Sequence, residues 1–185
     1  MSHTKLRSIA ITTMKNRFLI FICTATLLWT TDFSAKAQSI PIDVLRSEIV
    51  SDLKNNILPF WEKHIVDPAG GFYGMVGRDG TPVMDAPKGS VLNARILWTF
   101  STAYRLYGNE AYKKLADRAQ HYFINQFIDP HYGGVYWSVK ADCTPLETDK
   151  QTCACAYAIY GLSEHFRATG NLESLQKSID IYRKE

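Results

Sequence analysis

The chain has 185 residues and carries 21 Lys and Arg against 18 Asp and Glu, a formal net charge of +3. A balance this close to neutral gives no reason to expect a nucleic-acid partner. Hydrophobic residues make up 46% of the chain and aromatic residues 12%, which suits either an ordinary helical core or a cleft in which sugars stack on aromatic rings.

The first 37 residues have the pattern of a signal peptide. A basic start, Met14–Arg17, precedes an apolar run from Phe18 to Trp29, and Ala35-Lys36-Ala37 matches the small-x-small cleavage site. We therefore expect cleavage after Ala37, with Met14 as the true start and residues 1–13 as an over-extension. The alternative is an uncleaved membrane anchor. The signal peptide predicts an exported protein, periplasmic or secreted, that is not membrane-bound after cleavage.

The cysteines bear on this export. Cys23 would leave with the signal peptide, so Cys143, Cys153 and Cys155 remain. An odd number in an oxidising compartment leaves at least one thiol without a disulfide. Cys153 and Cys155 would lie on nearly opposite sides of a helix, and Cys143 is compatible with pairing to either. The chain has no Cys-x-x-Cys or His-x-x-x-His spacing, so we expect no metal site.

The first predicted helix runs from Ile42 to Ile65. Its apolar residues recur mostly at steps of three and four, and Pro59 predicts a kink or break near Leu58. A Gly-Gly turn and a short extended piece follow in Asp67–Gly74, and Asp79-Gly80 is typical of a hairpin turn.

The second predicted helix spans Lys88–Gly108, with Gly108 in the position of a left-handed stop. Arg95 lies between Ala94 and Ile96 in its middle. A guanidinium in an apolar setting is costly unless it is paired or faces water. Arg95 therefore either reaches the surface or a carboxylate, or it faces a polar pocket and holds an oxyanion. The next predicted helix is Glu110–Phe127, capped by Asn109.

The chain then repeats itself. Asp129–Trp137 resembles Asp67–Gly74, and Lys150 follows Lys88 by 62 residues (150 − 88), as Gly170 follows Gly108 (170 − 108). Each unit contains a Gly-Gly turn, an extended piece and two helices. Such units bury their apolar faces by stacking in open solenoids or closed toroids. Because the Gly-Gly loops always lie at the same end, we favour a closed barrel.

The last predicted helix, Leu172–Glu185, shows no end signal. Residues 38–185 hold one leading helix, one complete unit and most of a second, fewer than a closed ring needs. We therefore interpret them as the N-terminal part of a larger barrel domain.

Three segments carry a family resemblance: Lys88–Ser101, Gly70–Gly74 and Gly133–Trp137. Together they resemble the N-acylglucosamine 2-epimerase family, most closely its cellobiose or mannobiose 2-epimerase branch. The Asn-x-Arg-Ile-Leu-Trp segment is the most specific part, and the resemblance covers residues 42–185. It implies an all-α fold in which tandem helical hairpins form an (α/α)6 barrel, here incomplete. It also implies inversion of C2 in the reducing-end sugar of a β-1,4-linked disaccharide, with a small saccharide as the partner and without a cofactor.

The resemblance also assigns roles to individual residues. Arg95 matches the family's active-site arginine, which would contact sugar oxygens and stabilise an enediolate. Substrate contacts are expected from Tyr73, Asn93, Trp98, Tyr136, Trp137 and Cys153. The two base histidines of the family would lie beyond Glu185. The histidines of the present chain match no family motif and are expected to be solvent-facing or hydrogen-bonded: His64, His121, His131 and His165.

One segment departs from the family pattern. The family has a tyrosine and an amide residue where this chain has Cys153 and Cys155, so hydrogen bonds to sugar hydroxyls would be lost. Each missing partner in a polar site costs about 1–3 kcal/mol. The departure predicts a different substrate or a copy that has lost activity. No histidine lies near Cys153 in sequence, which disfavours a cysteine nucleophile.

Two other functions are compatible with the sequence. A helical-toroid glycoside hydrolase needs two carboxylates astride the scissile bond. The loop acids are interpreted instead as turn formers: Asp67, Asp129, Asp142 and Glu147. A non-catalytic sugar-binding repeat protein is the second alternative. The oligomeric state is left open.

Overall fold

The structure is a computed structural model that describes residues 41–184. The predicted signal peptide, the start at Met14 and Cys23 lie outside the described residues. The chain divides into two compact units, residues 1–47 and 48–185. In the first unit, described residues 42–47 are helical, and an ion pair of 3.9 Å joins Arg46 to Asp43.

Helices dominate the described residues. Their bounds are α1 Ile42–Asp52, a π-helical turn Leu53–Ile57, α2 Leu58–His64, α3 Ser90–Tyr107, α4 Glu110–Phe127, α5 Thr152–Thr169 and α6 Leu172–Lys184. Three short strands accompany them: β1 Lys88–Gly89, β2 Ser138–Val139 and β3 Pro145–Glu147. Within residues 41–184, no helix is both long and apolar enough to cross a bilayer.

The first predicted helix is interrupted, but earlier than expected. The irregular part is the π-helical turn at Leu53–Ile57, and regular α-helix resumes at Leu58. Pro59 falls in the first turn of α2. The helix continues from the π-helical turn into α2, since the Leu58 N–H donates to the Leu53 carbonyl, and Pro59 is the next residue, which has no N–H to donate.

The predicted helical hairpins are confirmed. Helix α3 packs against α4, α5 packs against α6, and the two hairpins meet mainly through α3 and α5. The hairpin turns are alike: Gly108 and Gly170 are left-handed, with φ of 65° and 75°. Asn109 caps α4 by accepting a hydrogen bond of 2.9 Å from the N–H of Ala111. The apolar face shared by these helices is fully buried at Leu97, Phe100, Phe123, Phe127 and Leu162.

Helix α3 begins two residues later than predicted. Lys88 and Gly89 form β1, which pairs antiparallel with Val139 and Ser138 of β2, and β2 in turn pairs with β3. The backbone N–H of Ser90 then donates to the carbonyl of Trp137 over 3.0 Å. A hydrogen-bonded partner 47–51 residues away in the chain thus overrides the local helical pattern at Lys88.

An ion pair fastens each Gly-Gly loop to the residues before the next helix. Lys88 Nζ lies 2.6 Å from Asp67 Oδ2, and at the equivalent positions of the second repeat Lys150 Nζ lies 2.9 Å from Asp129 Oδ2. The first pair is more deeply buried: the side chain of Lys88 is 2% exposed and that of Lys150 31%.

His165 joins three helices inside the core. Its Nδ1 lies 2.8 Å from Ser174 Oγ on α6, and its Nε2 lies 3.1 Å from Asp117 Oδ1 on α4. The ring is fully buried, which confirms the prediction of a hydrogen-bonded histidine. Burial lowers the pKa of His165 from 6.5, assisted by the positive charge of Lys113, although Asp117 acts in the opposite direction.

We expect His165 to make the fold acid-sensitive. The pKa of His165 is lower in the folded state than in the unfolded chain. Below about pH 6.5 the unfolded chain therefore binds the proton more readily than the folded chain, and the free energy of unfolding decreases as the pH is lowered. Replacing His165 with Asn leaves Ser174 and Asp117 without their partner and should cost about 1–3 kcal/mol near neutral pH. Urea unfolding between pH 5 and 7.5 measures both effects. The H165N variant should show a flatter pH dependence, whereas the exposed control variant H121Q should keep the wild-type slope; equal slopes for all three would contradict the prediction.

Candidate functional site

A hollow of about 590 Å³ lies between α3 and α5. Its lining consists of Arg95, Trp98, Thr99, Ala156, Tyr157 and Tyr160. A cationic group and three aromatic rings therefore surround a space large enough for a saccharide ring, within the usual size range of ligand sites.

The helical period of α3 explains why Arg95 faces this hollow. Ala94, Ile96 and Leu97 are buried in the core, whereas Arg95 and Thr99, one turn apart, are exposed. Within residues 41–184, Arg95 takes part in no ion pair. Pairing with a carboxylate is therefore wrong for the described residues, whereas an exposed guanidinium agrees both with reaching the surface and with facing a pocket. Its contact with a substrate stays a prediction.

Aromatic side chains from both repeats form one wall of the hollow. The rings of Trp98 and Tyr160 stack with centroids 5.0 Å apart and planes 11° apart. Tyr157 meets Tyr160 edge to face at 6.3 Å and 87°. Trp98 and Tyr160 are themselves separated by the 62-residue repeat, as are Arg95 and Tyr157. The wall is thus made by equivalent positions of neighbouring hairpins.

The charges near this wall act on Tyr160. Burial raises the pKa of its phenol, helped by the negative charge of Glu164, while the positive charge of Arg95 opposes the shift. Tyr160 therefore stays neutral near pH 7 and presents a hydroxyl rather than a phenolate.

A second hollow, of about 300 Å³, lies on the other side of Arg95. It shares Arg95 and Thr99 with the first hollow and is otherwise apolar, lined by Ile57, Leu58, Trp61, Leu92, Ile96 and Phe100. Neither hollow has a histidine or a carboxylate in its lining. The two spaces thus supply one cation and aromatic surface, but no side chain that exchanges protons near neutral pH.

The remaining predicted site residues do not line these hollows. Tyr73, Tyr136 and Trp137 are half-buried in the segments that follow the Gly-Gly turns. Lys150 Nζ lies 4.0 Å from the ring centre of Tyr136, and the Trp137 carbonyl accepts the hydrogen bonds of Ser90. Their substrate contacts stay predictions.

Asn93 and Cys153 also lie outside the lining of the hollows. Asn93 is buried, and its Nδ2 donates to the Gly89 carbonyl over 2.9 Å, while its Oδ1 has no partner among residues 41–184. Cys153 is exposed in the first turn of α5. The substrate contacts predicted for both stay untested.

Four lining residues of the first hollow were not predicted from the sequence: Thr99, Ala156, Tyr157 and Tyr160. Two signals were available. Thr99 lies one helical turn after Arg95, and Tyr157 and Tyr160 follow Arg95 and Trp98 by the repeat length. The 62-residue repeat that relates the helices therefore also relates the side chains that face this hollow.

Three of the four loop acids form turns, as predicted, whereas the prediction is wrong for Glu147, which lies in β3. Asp67, Asp129 and Asp142 each accept a hydrogen bond of 2.9 Å from the N–H two residues further along the chain. Glu147 accepts one of 2.7 Å from Ser138 Oγ, which ties β3 to β2. The hydrogen bond from Lys150, together with those from the backbone N–H groups of the turn, lowers the pKa of Asp129 far below its usual value.

Cys143 occupies the turn position that glycine takes in the first repeat. Its φ is 71°, against 82° for Gly80, and its Sγ lies 3.2 Å from Tyr122 Oη. The thiol is therefore engaged with a buried phenol rather than in either of the disulfides considered from the sequence.

Comparison with known proteins identifies the family. The sequence-family model for N-acylglucosamine 2-epimerase (GlcNAc 2-epimerase) matches residues 71–183 of this chain. The cellobiose 2-epimerase of Bacteroides fragilis is 47% identical over 141 residues, 76% of this chain and 36% of that protein. The cellobiose 2-epimerase of Dictyoglomus turgidum is 39% identical over 142 residues, 77% of this chain and 36% of that protein.

Solved structures agree with the sequence matches. The cellobiose 2-epimerase of Spirochaeta thermophila aligns with a TM-score of 0.73 and 37% identity, covering 76% of this chain and 35% of that one. The chain thus spans about a third of the length of the relatives it matches. Its hairpins correspond to part of an (α/α)6 barrel, which confirms the predicted fold class. The chain belongs to the N-acylglucosamine 2-epimerase family.

Proposed function

We propose that this chain forms part of an exported isomerase that inverts C2 of the reducing-end glucose or mannose of a β-1,4-linked disaccharide. The observation that carries the proposal is the position of Arg95, an exposed guanidinium without an ion pair in the described structure, beside an aromatic wall. The names of the relatives, cellobiose 2-epimerases in two bacteria, supply the substrate class.

The chemistry requires a group with the properties of Arg95. Once the sugar ring opens, the carbonyl at C1 makes the proton on C2 acidic, and its removal places negative charge on an enediolate. Fixed donors and cations aimed at that charge are usually the largest contribution to catalysis. A guanidinium offers two parallel N–H groups to neighbouring oxygens, which suits the C1 and C2 oxygens of the enediolate.

The proton transfers need other residues. Inversion requires removal of the proton from one face of C2 and its return to the other, by groups with pKa values near neutrality, for which histidine is the usual choice. None of the lining residues of the two hollows has this property. We propose that two histidines outside residues 1–185 of a longer protein supply these steps.

This division of roles makes a prediction for the 185-residue chain. It should bind cellobiose without catalysing exchange of the C2 proton, because it has the guanidinium and aromatic wall but no base at the site. In heavy water, nuclear magnetic resonance should show loss of the C2 proton signal of cellobiose only with the product of a longer reading frame that continues past Glu185.

Three outcomes would contradict the proposal. Exchange catalysed by the 185-residue chain alone would mean that the base lies within it. Release of free glucose instead of exchange would favour the hydrolase alternative. Saccharide binding by the longer product without exchange would favour a non-catalytic binding protein.

A further inference from the structure

Tyr157 differs from the other hydroxyl-bearing residues of the Arg95 hollow in its burial, since Thr99 and Tyr160 are exposed. It is half-buried on α5 and lines the same space as Arg95 on α3. The two residues hold equivalent positions in neighbouring repeats, so they face the hollow from two adjacent helices.

The ring of Tyr157 is held in place by other aromatic rings. It contacts Tyr160 edge to face at 6.3 Å, and Tyr160 stacks on Trp98 at 5.0 Å. Edge-to-face and offset-stacked pairs are the favoured arrangements of aromatic side chains. The Tyr157 hydroxyl is therefore positioned before any ligand arrives, and little conformational freedom remains to be lost on binding.

The hydroxyl of Tyr157 has no hydrogen-bond partner within residues 41–184. Water satisfies it while the hollow is open. A ligand that expels this water must replace its hydrogen bond, because a buried unpaired hydroxyl carries the full cost of desolvation. A ligand with a hydroxyl at this place is thereby favoured over one without it.

We infer that Tyr157 is a specificity-determining residue that hydrogen-bonds one hydroxyl of the saccharide bound next to Arg95. This inference rests on the proposed function, since it takes the occupant of the hollow to be a saccharide. Arg95 and Tyr157 then share the recognition: the guanidinium holds the oxygens that become charged, and the phenol selects one neutral hydroxyl of the same molecule.

The test is a double-mutant cycle in which one partner is the ligand. The 185-residue chain and its Y157F variant are titrated with cellobiose and with a set of cellobioses that each lack one hydroxyl, using calorimetry. Loss of a single neutral hydrogen bond should weaken cellobiose binding about fivefold in Y157F. In the wild type one deoxy compound should lose about the same factor, and Y157F should not distinguish that compound from cellobiose.

A matched control separates recognition from structure. Tyr182 on α6 is exposed and lies outside both hollows around Arg95, so Y182F should bind the whole series as the wild type does. The inference is overturned if Y157F ranks the deoxy compounds as the wild type does, or if the wild type binds none of them. Proton exchange in heavy water by the longer product that continues past Glu185 tests the proposed function separately. Exchange by that product together with an unchanged ranking refutes only the role of Tyr157. A changed ranking without exchange by that product refutes only the isomerase activity.

Discussion

Replacing Arg95 with Gln in the longer product that continues past Glu185 should lower its rate of C2 proton exchange about 100- to 1,000-fold. This is the range seen when one donor to a developing oxyanion is removed. Glutamine keeps an amide donor but is shorter, and it loses the charge and the second parallel N–H. Because the enediolate is charged and the sugar is not, the loss should fall mainly on kcat and only slightly on KM.

Two further variants make this result specific. Arg95→Lys keeps the charge but not the paired donors, so its rate should lie between those of R95Q and the wild type. Arg167 on α5 is an exposed arginine paired only loosely with Glu164, at 3.7 Å, and R167Q should leave exchange unchanged. Equal loss of kcat in R95Q and R167Q, or a purely KM effect in R95Q, would be incompatible with enediolate stabilisation by Arg95.

Replacing Lys88 with Met should destabilise the fold by about 3–5 kcal/mol, because it leaves the Asp67 carboxylate buried without its counter-ion. Burial opposes ionisation of Asp67, but hydrogen bonds from Lys88 and the Ala69 N–H, with the charges of Lys88 and Arg118, outweigh it and keep its pKa below the usual value. The second repeat supplies the control. Lys150 is partly exposed, so K150M should cost no more than about 1 kcal/mol, as for other solvent-screened pairs.

Urea unfolding at neutral pH compares the two variants directly. If K88M is too unstable to purify, the double variant K88M/D67L keeps the prediction testable, since replacing both members of a buried pair by apolar residues is often neutral. The double variant should unfold near the wild-type urea concentration. Equal costs for K88M and K150M would show that burial does not govern the strength of these pairs.

The sequence predicted the positions of the helices well, but it did not predict the strand pairing that determines where α3 begins. Apolar residues at helical spacing, together with Gly108, Asn109 and the 62-residue repeat, predicted the hairpins because these signals are local. The pairing of Lys88 with Val139 is not local, and no pattern near Lys88 announces it. The helix start was therefore placed two residues too early.

The same distinction holds for the candidate site. Arg95 was recognisable as an unusual charge within an apolar stripe, and Trp98 as its neighbour one turn on. The facing wall was not recognised, because Tyr157 and Tyr160 look like ordinary aromatic residues of a helix until α3 and α5 are placed side by side. Packing between repeats, rather than composition, brings them to Arg95.

The pairing between β1 and β2 also has a consequence for biosynthesis. The residues that begin α3 are hydrogen-bonded to residues 137–139, which are translated well after α3 itself. At the usual rate of about 5–20 residues per second, this interval lasts on the order of several seconds. During this interval Lys88, Gly89 and the N–H of Ser90 lack the backbone partners that they have in the folded protein.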